Sequence, residues 1–268
     1  MQLKDFQEMI NQTVFCASGR KVESGKVVFE VYLEKGNGNL VITATDDKRL
    51  GFSNREVGND FPDFDGVFVS AMVLQKIAKR KRNTEPLSIS VSGNVVNFSI
   101  GSSCVSTKTI SCEFINLYNE ERVSKLYPFV APVKVVGEFI RFYRSINGFK
   151  HILPLSFTVE RKSLLEALGL VSVMVEPWCS ELCIVLSPGN LALHTGNNDY
   201  SAETEITCEY GGEEIKLKFH ANSFIEIVEH IDAEYIQIQF NPRKSTAAVL
   251  PVPERGYYYF ISQVIGGK

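Results

Sequence analysis

Apolar residues along the first thirteen positions recur with the period of a helix. Leu3, Phe6, Met9, Ile10 and Thr13 share one stripe, which predicts an amphipathic helix over 3–13. The period then shortens to two, predicting strands at 26–33, 39–45 and 49–52 and, after a loop, at 66–69. Ser70 stands where a second helix needs its N-cap, and that helix is expected to bury Val73, Leu74 and Ile77. Segments 87–91, 95–100 and 104–111 alternate and read as an antiparallel meander.

The second half of the chain repeats this order. A helix is predicted at 161–171 with Leu164, Leu165 and Leu168 inward, then a hairpin of 181–186 and 191–195 around Ser187-Pro188-Gly189-Asn190. Strands follow at 202–210 and 214–219, a helix at 222–230 presents Phe224, Ile225 and Val228, and strands at 235–240, 247–252 and 257–264 close the pattern. Two landmarks share one offset of 151: Gly38-Asn39-Leu40 with Gly189-Asn190-Leu191, and Phe68 with Phe219. Each half reads as an α+β unit, two helices against antiparallel sheet. Between them, 124–152 is long for a linker and carries the apolar run Phe139-Ile140-Arg141-Phe142-Tyr143, so it is expected to pack, with a short helix at 137–145.

Bulk properties narrow the class. The 268 residues, 44% hydrophobic and 22% charged, suit a folded chain of one large or two ordinary domains. No apolar run is long enough to cross a bilayer, and the charged N-terminus lacks the core of a secretory signal, so a cytoplasmic location is expected. The six cysteines are scattered. Cys179 and Cys183 are four apart without a second pair nearby, so buried free thiols are expected rather than zinc ligands. The net charge of −3 argues against tight sequence-specific DNA binding but allows positive charge gathered on one surface.

Thr45-Asp46-Asp47-Lys48-Arg49-Leu50 and its surroundings resemble the DNA polymerase III beta subunit family, the bacterial sliding clamps. In that family the corresponding segment reads Thr-Asp-Gly-His-Arg-Leu; Asp47 and Lys48 depart from it. Cys112-Glu113-Phe114 down to Arg122-Val123 is similar to the end of the family's middle domain. The helix at 161–171, the run 200–210, Ile215 to Phe219, and Tyr257-Tyr258-Tyr259-Phe260-Ile261 look like its last domain, without the closing Met-Pro-Met. The resemblance implies the DNA-clamp fold in two tandem copies: a clamp-like domain over 1–123, a connecting segment over 124–152 and a second clamp-like domain over 153–268. On this resemblance a two-domain form lacking the family's first domain is expected.

The resemblance further implies a processivity factor that encircles duplex DNA irrespective of sequence and docks short peptides of polymerase and clamp loader. Six domains close such a ring, so three copies of a two-domain chain are expected, a homotrimer. Lys76, Lys79, Arg80, Lys81 and Arg82 on or just after the second helix, with Arg161 and Lys162 on the third, are the candidate DNA-facing cations. The bland reading is a solvated helix face with a basic C-terminal end. Thr45, Arg49, Leu50, Val123, Phe260 and Ile261 are the candidate peptide groove, or ordinary core residues. The fourth helix carries Glu226 and Glu229, followed by Asp232 and Glu234, with His230 its one positive candidate. That charge favours a rival reading, a clamp-fold interaction module that does not encircle DNA. No phosphate-cradling glycine loop, nucleophile elbow or metalloprotease motif is present, so neither catalysis nor a cofactor or metal is expected.

Overall fold

The computed structural model describes residues 1–17, 30–36, 38–46, 48–58, 61–81, 83–109, 153–175, 180–196 and 200–264. The expectations for Arg82, Cys112, Val123, Cys179 and the 124–152 segment lie outside these residues. The chain divides into two compact units, Met1–Val136 and Gly137–Lys268.

The first unit opens with α1 (Leu3–Thr13), whose stripe of Leu3, Phe6, Met9, Ile10 and Thr13 is buried as its period requires. Strands β1 (Glu30–Gly36), β2 (Asn39–Thr45), β3 (Arg49–Glu56) and β4 (Phe64–Ser70) form antiparallel sheet in the order β4-β1-β2-β3. Helix α2 (Ala71–Ala78) begins after Ser70, which takes the N-cap position although its hydroxyl makes no capping bond. Leu74 and Ile77 are buried; Val73 is only half-buried, one residue off the centre of the inward stripe. Strands β5 (Leu87–Ser92), β6 (Val95–Ile100) and β7 (Ser103–Lys108) make the meander. Its inward residues Ile89, Val96 and Phe98 have no exposure, and Phe98 packs 5.8 Å from the Phe6 ring of α1.

The second unit is the same design. After β8 (Leu155–Glu160) come α3 (Arg161–Ser172), then β9 (Glu181–Ser187), β10 (Asn190–Gly196), β11 (Ser201–Thr207) and β12 (Ile215–His220), paired as β11-β10-β9-β12. Helix α4 (Ala221–His230) and strands β13 (Tyr235–Phe240), β14 (Thr246–Val252) and β15 (Tyr257–Ser262) complete it, paired as β15-β14-β13-β8. Ala167, Val171 and Ile227 join the cores of the two helices, while Leu165 and Ile225 stand half-buried at their margins.

The repeat is thus structural. β1 and β2 map onto β9 and β10 at an offset of 151 at both ends of each strand. Arg161 N–H donates to the Glu234 carbonyl at the start of α3, as Leu3 N–H donates to Glu85 at the start of α1. The segment before α1 touches the meander at a Gln2–Pro86 bridge, where the second unit has the full strand β8.

The corresponding β1–β2 and β9–β10 hairpins each turn through a glycine in the left-handed region, Gly38 at φ 76° and Gly189 at φ 77°. A Cβ at Gly189 would meet nothing, so the cost of adding one is conformational alone. Gly169 lies inside α3 with open space around it and no such φ. The two glycines should therefore respond oppositely in urea unfolding. Gly189→Ala is expected to destabilise by about 1–2 kcal/mol, and Gly169→Ala to stabilise by about 0.5–1 kcal/mol.

Candidate nucleic-acid interface

With Leu74 and Ile77 turned inward, the opposite stripe of α2 must face solvent. That stripe is Met72, Gln75, Lys76 and Lys79, spaced i, i+3, i+4, i+7 and exposed at every position. Two of the expected cations thus stand on one face by geometric necessity. Lys81 is also exposed, and Arg80 is half-buried, its Nη1 donating to the Ser103 hydroxyl at 2.9 Å. The C-terminal carbonyls of α2 are served from α1: Gln7 Nε2 donates to Ile77 O at 3.1 Å and Arg80 O at 2.9 Å.

The second unit solves the same problem with a cation. Arg161 of α3 donates from Nε to Val228 O at 3.0 Å and from Nη2 to Glu229 O at 2.9 Å, capping α4. Its guanidinium is therefore committed to that helix end. Lys162 remains exposed and lies 3.9 Å from Glu166 one turn on. The face of α4 that corresponds to the α2 stripe carries Asn222, Ile225, Glu226 and Glu229, so Lys76 and Lys79 are answered by two glutamates. His230 Nδ1 lies 2.7 Å from the Glu226 carbonyl.

The other candidate cluster is the turn joining β2 to β3. Asp46 Oδ1 accepts from the backbone N–H groups of Lys48 and Arg49, both at 2.8 Å, an Asx-type turn that the Asp side chain is short enough to close. Asp46 Oδ2 accepts from Arg49 Nε at 3.2 Å, and Arg49 Nη2 reaches back to the Phe15 carbonyl at 3.2 Å, with its guanidinium 5.1 Å above the Phe15 ring. The Thr45 hydroxyl lies 2.8 Å from the carbonyl oxygens of both Asp46 and Arg49. Arg49 is only 3% exposed, and Leu50 equally so. In the second unit the corresponding run of sequence is Gly196-Asn197-Asn198-Asp199-Tyr200, without an arginine. Gly196 occupies the place of Thr45, and a Cβ there would come within 2.4 Å of the Tyr200 carbonyl. Phe260 and Ile261 on β15 are buried as well.

Gln7, Phe15 and Ser103 escape a reading of local pattern. Their partners lie 70 to 73, 34 and 23 positions away, and no periodicity signals them. Among the described residues, no three His, Cys, Asp or Glu side chains converge as a metal site, and no helix is long and apolar enough to cross a membrane. Cys16 and Cys183 are buried as expected, whereas Cys104 on the outer strand β7 is exposed and Cys208 only half-buried. Burial holds the Cys183 thiol above its ordinary range, which keeps it unreactive.

Comparison with known proteins gives this arrangement a family setting. Residues 1–116 match the family described as DNA polymerase III beta subunit, central domain. The beta sliding clamp of Treponema pallidum is 24% identical over 262 residues, covering 96% of this chain and 62% of that protein. The beta sliding clamp of Chlamydia trachomatis is 24% identical over 243 residues, covering 88% and 51%. In structure, the sliding clamp of Pseudomonas aeruginosa superposes with a TM-score of 0.77 at 17% identity over 99% of this chain and 66% of that one. The Thermotoga maritima DNA polymerase III beta subunit does so at 0.77 and 18%, over 100% and 65%. The chain therefore has the DNA-clamp fold and is related to the bacterial sliding clamps, spanning about half to two thirds of their length.

The buried Asp46–Arg49 pair yields a direct test. Asp46→Ala removes a carboxylate that accepts two backbone N–H bonds and the Nε–H of the buried Arg49. Urea unfolding should show a loss of about 3–5 kcal/mol. A loss under about 1 kcal/mol, the ordinary worth of an exposed pair, would show that the turn does not depend on this bond.

Proposed function

We propose that this relative of the bacterial sliding clamps works as one: a ring that encircles duplex DNA without reading its sequence, holds a polymerase there, and catalyses nothing. The observation that carries the reading is the doubled clamp-fold unit with a solvated basic stripe on α2. Ammonium groups on a rigid helix face attract phosphates of any sequence, which is what sliding needs. In this reading Lys76, Lys79, Arg80, Lys81, Arg82 and Lys162 face the DNA, and Arg161 acts through the end of α4 that it caps.

The proposed organisation is a clamp-like domain over 1–123, a connecting segment over 124–152 and a second clamp-like domain over 153–268. Two such domains in each of three copies give the six that close a ring, so the assembly is a homotrimer acting in the cytoplasm. Short peptides of polymerase and clamp loader dock through Thr45, Arg49, Leu50, Val123, Phe260 and Ile261. The Asp46–Arg49 turn supports this use: the ion pair and the bond to the Phe15 carbonyl hold this hairpin end in one geometry, as a preformed docking site needs. A second reading, an interaction module that does not surround DNA, is favoured by the glutamates on α4.

Sedimentation should give a mass three times the 30.0 kDa of the chain at micromolar concentration. A monomeric mass at every concentration would remove the ring. Lys76→Glu with Lys79→Glu reverses two exposed charges on one face and should leave the fold intact. Retention on closed circular duplex should fall, and the log–log salt slope should become shallower by about 0.9 for each phosphate that the variant no longer neutralises. Wild-type retention by this variant at low salt, with its trimer intact, would favour the interaction module.

A further inference from the structure

We infer that the turn joining β13 to β14, with Arg243 and Lys244 at its tip, is a cationic rim of the proposed peptide groove, and that it selects partner peptides whose apolar anchor is flanked by acidic residues. The inference rests on the docking role proposed above for Phe260 and Ile261, and adds the charge of the peptide that they take.

Most described cations of the second unit are committed within it. Arg161 caps α4. Lys162 lies 3.9 Å from Glu166, Lys218 pairs with Glu181 at 2.6 Å, and Arg255 with Asp232 at 3.1 Å. Lys216 is bonded to the Cys183 thiol. Arg243 and Lys244 differ from all of these. They are adjacent, both are exposed, and among the described residues neither is paired with a carboxylate. Two like charges set side by side and left unanswered attract an anion from outside the chain.

The turn that carries them is held in one shape. Pro242 fixes its own φ. The Asn241 side-chain oxygen accepts from the Arg243 N–H at 3.0 Å, and the Asn241 carbonyl accepts from the Lys244 N–H at 3.0 Å. Gln263 then ties the turn to the end of β15. Its N–H donates to the Ser245 carbonyl at 2.7 Å, and its Nε2 to the carbonyls of Thr246 at 3.2 Å and Asn241 at 3.5 Å. The ladder between β14 and β15 sets Ala248 opposite Phe260, Ala247 opposite Ile261 and Thr246 opposite Ser262. The two cations therefore stand at the end of the strand pair that holds Phe260 and Ile261. Their backbone is ordered before a partner arrives, so little of its freedom is left to lose on binding.

Position decides which anion answers them. The cations proposed to face DNA lie on or beside helices, whereas this turn joins two strands and is bonded to the strand that carries the groove residues. A peptide anchored at Phe260 and Ile261 passes beside the turn, and carboxylates flanking its anchor meet a guanidinium and an ammonium there. Exposed pairs of this kind add selectivity and association rate more than affinity, which suits a groove whose apolar residues already supply the anchor site.

The test titrates the full chain with two synthetic peptides that share one leucine–phenylalanine anchor. One is flanked on both sides by aspartates and the other by asparagines, and binding is read by fluorescence anisotropy at low and high salt. Wild type should prefer the aspartate peptide by about tenfold at low salt, with two exposed pairs contributing about threefold each. The preference should fade as salt screens it. Arg243→Gln with Lys244→Gln should abolish the preference, and Arg243→Glu with Lys244→Glu should reverse it. Equal affinity of wild type for the two peptides, or a preference that survives both sets of substitutions, overturns the rim and leaves the groove standing. Binding of neither peptide overturns groove and rim together. A double glutamate variant that keeps the wild-type peptide preference but is retained less on closed circular duplex assigns the turn to DNA phosphates, against the inference.

Discussion

Leu74 and Ile77 have essentially no exposure, and that burial fixes the rotation of α2 about its own axis. A helix held by one apolar stripe has no freedom to choose what its other stripe shows. Met72, Gln75, Lys76 and Lys79 face water because their neighbours one position away do not. The same constraint on α4, held by Phe224, Ile227 and Val228, brings Glu226 and Glu229 to the corresponding face. Two units of one design thus present opposite charge from one backbone geometry. The fold is thus kept by buried residues, while the surface charge is set by residues that cost the fold little to change.

The helix ends show how far the two copies have drifted while solving one problem. The final carbonyls of a helix need donors, and in both units the preceding helix supplies them. Gln7 does so in the first unit without charge. Arg161 does so in the second with a guanidinium, which also complements the negative end of the α4 dipole. Cation content alone therefore overstates what the second unit offers to phosphates, because one of its arginines is committed to its own backbone.

The β2–β3 turn is a different kind of device. A buried ion pair is poor evidence of stability, since desolvation offsets most of its Coulomb attraction. What Asp46 and Arg49 secure is geometry. One carboxylate closes the turn through two backbone bonds and holds the guanidinium that ties the hairpin to Phe15. The second unit has Gly196 where the first has Thr45, with the Tyr200 carbonyl close against it.

Much of this was legible in the residues. Period 3.6 located all four described α-helices, period 2 most strands, and the recurrence of Gly-Asn at an offset of 151 exposed the duplication. The match of Phe68 with Phe219 is off by one, since the register against β1 and β9 makes Phe219 the counterpart of Val69. These signals are local, because hydrophobic spacing is set by the pitch of a single element. The exposure of Lys76 and Lys79 belongs with them, since it follows from the same pitch. What tertiary structure alone decided are the long-range commitments. Arg161 reads as a free surface cation until α4, 67 and 68 residues on, supplies its acceptors. The depth at which Arg49 and Leu50 sit, each 3% exposed, is likewise set by packing and not by their spacing in the chain. Val73, Leu165 and Ile225 fit an inward stripe by spacing yet stop at its margin, because the width of the buried stripe depends on the partner surface. Which strands remain as edges is likewise a property of the assembled sheets, for each strand's own alternation is the same whether or not a neighbour lies beside it.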